Sequence, residues 1–100
     1  MGQHQRALQL LTDLVRNTPR NARLYRLQAQ SYAASGRRLL QHQALAEVYY
    51  LQGTLSAAIE QLQLAQKSSD GDFYQLSAVD ARLRELRRLQ AEESRESRKR

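Results

Sequence analysis

Few side chains in this 100-residue chain could do acid–base, nucleophilic or metal chemistry. With no Cys, a thiol nucleophile, a Cys-based zinc site and a disulfide scaffold are excluded, and the redox compartment stays open. His4 and His42 are the only histidines, and the positions one helical turn on are Leu8 and Ala46, so neither has a second ligand at i+4. The run His42-Gln43-Ala44-Leu45-Ala46 lacks the Glu and the second His of a helical zinc-protease site. Both histidines read as surface or boundary residues. Asp70 and Asp72 flank Gly71, but the loop lacks the length and terminal Glu of an EF-hand, so they read as turn and capping residues. The sequence has no phosphate-binding glycine loop and no dinucleotide fingerprint, and its carboxylates are scattered rather than paired for acid–base catalysis. The expectation is a chain that is not an enzyme and carries no metal or cofactor of its own.

Charge is the next candidate for function. The chain holds 16 Lys+Arg against 10 Asp+Glu, a net charge of +6, which permits phosphate binding. Arg23, Arg26, Arg37 and Arg38 form one basic cluster, and Arg82, Arg84, Arg87, Arg88 and Arg98-Lys99-Arg100 another. Acidic residues are interleaved, however, and Arg82 stands three residues before Glu85, within pairing distance on a helix. A solvated, salt-bridged face is the first reading, an acidic protein partner the second, and nucleic acid the third.

The elements that must position these groups are helices. Leu occurs 17 times and Gln 13 times, both good helix formers, and the one Pro lies between two helical patterns. No apolar run approaches the ~18 residues of a membrane span. Apolar residues at steps of three and four predict five helices. The first covers about 4–16, with Ala7, Leu8, Leu11, Leu14 and Val15 on one face, and Pro19 ends it. The second, 22–34, follows the candidate N-cap Asn21, carries Leu24, Tyr25, Ala29, Tyr32 and Ala33, and stops at Gly36. The third, 38–51, stops at Gly53. The fourth, 55–67, has Thr54 as candidate cap. The fifth runs from about 73 to the low nineties, after a capping box from Asp72 to Gln75, with Leu76, Val79, Leu83, Leu86 and Gln90 as its inward seam. The tail 92–100 has no apolar residue and is expected to fray or be disordered.

An internal repeat emerges on aligning the glycines. Tyr32-x3-Gly36 matches Tyr49-x3-Gly53, and the second extends as Leu45-Ala46-x2-Tyr49-x3-Gly53-x4-Ala58-x3-Leu62-x2-Ala65. That series resembles the tetratricopeptide (TPR) repeat, in which small residues admit close helix approach and large ones fill the groove beside them. Ala7-x3-Leu11-x2-Leu14-x4-Pro19 fits the second half of a repeat, so the chain is expected to open mid-repeat as a piece of a longer protein. Gly36 and Gly53 are 17 residues apart, half a TPR period, so 38–51 serves as second helix of one unit and first of the next. Gln28 and Gln41 stand where the pattern prefers apolar or small residues. The fold expected is all-α: an antiparallel, TPR-like right-handed superhelix of about five helices over 1–91, with a long C-terminal capping helix. A generic antiparallel array with glycine C-caps is the plainer alternative.

A closer likeness rests on Leu24-Tyr25-Arg26-Leu27-Gln28-Ala29-Gln30, Leu45-Ala46-Glu47-Val48-Tyr49-Tyr50-Leu51-Gln52-Gly53, Ala57-Ala58-Ile59-Glu60-Gln61-Leu62 and the ending Asp80-Ala81-Arg82-Leu83-Arg84-Glu85-Leu86-Arg87. Together they resemble the C-terminal TPR domain of the β-barrel assembly-enhancing protease family of Gram-negative bacteria. The resemblance implies a periplasmic zinc metallopeptidase as parent, with its HExxH catalytic domain and zinc upstream of this chain. It further implies that the domain packs on that catalytic domain and engages the outer-membrane β-barrel assembly machinery. None of the family's zinc-binding or catalytic residues falls within the chain.

The expected function is therefore non-catalytic binding of protein or peptide, with no nucleic acid and no transmembrane segment. In TPR domains the first helix of each repeat lines the concave groove. That register nominates Arg23, Arg26 and Gln30 on the second helix and Gln43, Glu47 and Tyr50 on the third, with the arginines pairing with partner carboxylates. Tyr25, Tyr32 and Tyr49 read as packing residues. A freestanding TPR scaffold, or less readily a basic nucleic-acid-binding helical protein, remains the alternative.

Overall fold

A computed structural model describes the backbone of residues 2–98, with side chains from residue 5 onward. His4 lies outside the described side chains. Five helices follow one another: α1 (Gly2–Asn17), α2 (Ala22–Ala34), α3 (Arg38–Leu51), α4 (Leu55–Lys67) and α5 (Phe73–Arg98). The described residues contain no strand. Each helix packs on its neighbours in sequence, and α3 also touches α5. The result is an all-α array of 54 × 27 × 18 Å.

The bounds of α2, α3 and α4 coincide with the sequence pattern because their stop signals are local. Gly36 and Gly53 adopt φ of 74° and 82°, the left-handed region that glycine enters without a Cβ penalty. At each, two reversed bonds close the helix. The Gly36 and Arg37 amides donate to the carbonyls of Ala33 and Tyr32 at 3.1 and 2.9 Å. The Gly53 and Thr54 amides donate to Tyr50 and Tyr49 at 3.0 and 2.9 Å. This is the Schellman arrangement, and it explains the Tyr-x3-Gly spacing, in which the tyrosine carbonyl receives the last bond. Asn21 Oδ1 accepts from the Leu24 amide at 3.3 Å, and Asp72 and Gln75 exchange bonds as a capping box.

Four expectations need correction. Thr54 occupies the N-cap position of α4, but its side chain makes no capping bond. On α1 only Leu8 is buried, while Ala7, Leu10 and Leu14 are exposed, because α1 has α2 as its one neighbour. Tyr25 and Tyr32 are half-buried, open to a cavity on one side, rather than enclosed in packing. Finally, α5 does not end in the low nineties but continues through the charged segment to Arg98. No tertiary contact buries residues 91–98; helix-forming residues and the Arg88–Glu92 ion pair at 2.9 Å support the continuation.

The main core lies in α3, α4 and α5. Ala46, Ala58, Leu62, Ala65, Val79 and Leu86 are each fully enclosed, with Leu39 and Leu83 nearly so. The small–large–small series found in the sequence thus fills the centre of this cluster. Gln90, last member of the α5 seam, is half-buried and donates to Ser56 Oγ at 3.0 Å.

One tertiary device fixes the α4–α5 loop. Arg37 caps α3 without a side-chain bond, and Asp70 takes over that task from across the fold. Its carboxylate accepts from the Arg38 amide at 2.6 Å and the Leu39 amide at 3.1 Å, satisfying two free donors at a positive helix end. Beside it the Gly71 backbone presses on Leu39; a Cβ there would collide with Leu39 Cδ1. Asp70→Ala is expected to cost about 1 kcal/mol, with Asp70→Asn retaining most of the stability. Urea midpoints of the three proteins check this, and equal midpoints for Ala and wild type would refute it.

Candidate functional site

Across α3, between α2 and α5, lies an open groove made of two cavities of about 660 and 340 Å³. Tyr25, Glu47 and Arg82 line both cavities and form the waist between them. The floor is α3, with Gln43, Glu47 and Tyr50 on successive turns, a spacing of four and three that keeps them on one helix face. One wall is α2, through Tyr25, Gln28 and Tyr32. The other is α5, through Ala78, Arg82, Leu89 and the carboxylates beyond it.

The waist is an ordered ionic cluster. Arg82 donates from Nε to Glu47 Oε2 at 3.0 Å and from Nη2 to Glu47 Oε1 at 2.8 Å, the two-pronged geometry that matches guanidinium to carboxylate. Its Nη1 lies 3.1 Å from Glu85 Oε2 on the same helix. The guanidinium carbon stands 4.6 Å from the centre of the Tyr50 ring, a cation–π contact. Burial alone would lower the Arg82 pKa, but its bonds to Glu47 and then to Glu85 raise it, so the cation is secure. The Tyr25 phenol is pushed above its ordinary value, first by burial and then by the Glu47 carboxylate, with Arg82 pulling the other way.

Of the six residues nominated from sequence, Gln43, Glu47 and Tyr50 meet in this groove. Arg23, Arg26 and Gln30 do not: they are exposed on α2 and line neither cavity. At about 100° per residue they fall on the side of α2 opposite Tyr25, Gln28 and Tyr32. The TPR register places Arg23, Arg26 and Gln30 towards a concave face, whereas the cavities beside α2 are lined by Tyr25, Gln28 and Tyr32. The Arg82–Glu85 pair was legible from its spacing; the Arg82–Glu47 pair, 35 residues apart, left no local signal. Gln28 is the one buried polar side chain among the described residues, donating to Thr12 Oγ1 at 3.5 Å, while Thr12 bonds the Leu8 carbonyl. His42, half-buried, lies 2.8 Å from Gln61 Oε1 and outside the groove.

No group of three or more His, Asp or Glu side chains able to hold a metal ion occurs among the described residues. None of the described helices is long and apolar enough to cross a membrane. No family model, curated protein or solved structure matches the chain.

Two outcomes follow from the waist. A double-mutant cycle with Glu47→Gln and Arg82→Met, read by urea unfolding, should give a coupling of about 1–2 kcal/mol; a value near zero would show the pair to be decorative. Because the folded Tyr25 pKa is raised, its stabilising contribution is full below its ordinary value of about 10 and is lost as pH rises through the folded value. Tyr25→Phe should therefore flatten the alkaline fall in stability, measured as urea midpoints against pH. An unchanged slope would contradict it.

Proposed function

We propose that this chain is a non-catalytic, TPR-like interaction domain that holds a segment of another protein in the α2–α3–α5 groove. The observation that carries this reading is the amphipathic floor and walls of that groove: three tyrosines, two amides and an ion pair lining two adjoining open cavities. Tyrosine supplies large contact area with little conformational freedom to lose, the chemistry common at binding hot spots. The enclosed Ala46, Ala58, Leu62 and Ala65 support the TPR-like reading, since they occupy the repeat's small and large positions.

The resemblance to the β-barrel assembly-enhancing proteases supports a parent of that kind. It would be a periplasmic zinc metallopeptidase in outer-membrane protein assembly and quality control, with this domain binding its catalytic domain and the assembly machinery. An HExxH motif in the reading frame upstream is the expected sign of that parent.

The groove reading is tested by selecting a phage-displayed library of unstructured peptides on the immobilised chain. Selected peptides should lose about tenfold or more in affinity on Tyr50→Ala, with helix content unchanged by circular dichroism. They should bind the Arg23→Ala/Arg26→Ala variant as they bind wild type. Binding indifferent to Tyr50, or lost with the α2 arginines, would sink the reading.

A further inference from the structure

The groove reverses the charge of the molecule around it. The chain is +6 overall. Yet beyond Arg82 the groove side of α5 presents Leu89, Glu92, Glu93 and Glu96, all of which line the larger cavity. Steps of three, one and three residues keep these four within roughly a third of the helix circumference. The arginines of the same stretch, Arg84, Arg87, Arg88, Arg95 and Arg98, line neither cavity and belong to the back of the helix. The distal half of α5 is thus acidic towards the groove and basic away from it. Glu92 is engaged by Arg88, whereas Glu93 and Glu96 have no ion-pair partner among the described residues.

The floor beneath this acidic wall is apolar and aromatic, formed by Tyr50, Leu51 and Leu55, with Tyr25 on the opposite wall. Two cations line the cavity, Arg20 and Arg82, and Arg82 is already committed to Glu47. That leaves Arg20 facing three carboxylates. Arg82 itself shows what the lining can hold: a guanidinium gripped by a carboxylate and stacked on Tyr50.

We propose that the occupant of the groove is a cationic, amphipathic peptide segment of another protein. Its Lys or Arg side chains meet Glu93 and Glu96, and an apolar side chain seats between Tyr50, Leu51 and Leu89. The inference rests on the groove reading above and specifies its partner. It reverses the expectation of an acidic partner drawn from Arg23 and Arg26, which face away from the groove. Charge complementarity decides between the classes, because an acidic segment or a nucleic-acid backbone would bring its anions against Glu93 and Glu96, which have no cation partner among the described residues.

The test uses the full chain and two labelled peptides, one alternating arginine with leucine and one alternating glutamate with leucine, read by fluorescence anisotropy at low and physiological salt. Since the protein is net positive, unspecific attraction favours the glutamate peptide, so preference for the arginine peptide reports the groove alone. The arginine peptide is expected to bind more tightly and to weaken with salt. Glu93→Gln/Glu96→Gln, two exposed positions clear of the core, should weaken it roughly fivefold. Glu93→Lys/Glu96→Lys should move the preference to the glutamate peptide. Tighter binding of the glutamate peptide by wild type, or arginine-peptide binding indifferent to the double Gln variant, overturns the proposal. If the glutamate peptide binds and is lost on Tyr50→Ala, the groove reading survives and the cationic occupant does not. If neither peptide binds, or neither responds to Tyr50→Ala, both fall. Wild-type dimers in sedimentation that disappear in the double Lys variant would mean that a second copy fills the groove, and would equally overturn the proposal.

Discussion

The geometry of the groove depends on one long-range contact, the grip of the α4–α5 loop on the start of α3. Sequential helices joined by short loops are held to their immediate neighbours, but nothing in that rule sets how far α5 swings round α4. Asp70, bonded to the Arg38 and Leu39 amides, and the Gly71 backbone, pressed on Leu39, set that angle at one end. Glu47 and Arg82 set it again near the middle. With both in place, α5 stands opposite α2 across α3, and a trough opens between them. Each contact uses groups that would otherwise be unsatisfied: free amides at a helix start, and a half-buried carboxylate and guanidinium.

The parts of this fold legible in the sequence are those written over a few neighbouring residues. Glycines with tyrosines four positions before them, Asn21, and the Asp72–Gln75 pair fix helix ends through bonds that span one turn. The alanine and leucine spacing of α3 and α4 fixes which faces meet. Less legible was the rotation of α2, because an amphipathic helix whose apolar face is half-buried on two sides offers several acceptable orientations. The sequence pattern reads the tyrosines as packing and the arginines as the groove, whereas Tyr25 and Tyr32 are half-buried at the edge of the trough and the arginines lie outside it. The roles of Asp70 and Arg82 were hidden for a different reason: their partners lie more than 30 residues away, and nothing in the local pattern marks them.

Charge shows the same division. Net charge and clusters of arginine along the chain suggest first a solvated, salt-bridged face and second an acidic partner. Beyond Arg82, helix periodicity sorts those residues differently, sending Glu92, Glu93 and Glu96 of α5 to the trough and the later arginines outward. A sum over the chain cannot register that sorting, and the surface a partner meets is the sorted one.

The thinness of the array has its own consequence for motion. With α1 leaning on α2 alone and most enclosed side chains gathered in α3 to α5, protection against opening is graded along the chain rather than shared. The end helix α1 can open while α2 stays packed on α3, as the end unit of a linear stack does. Because α2 keeps its seat on α3, such a fluctuation would leave that wall of the trough in place and bare the Gln28 amide that Thr12 meets.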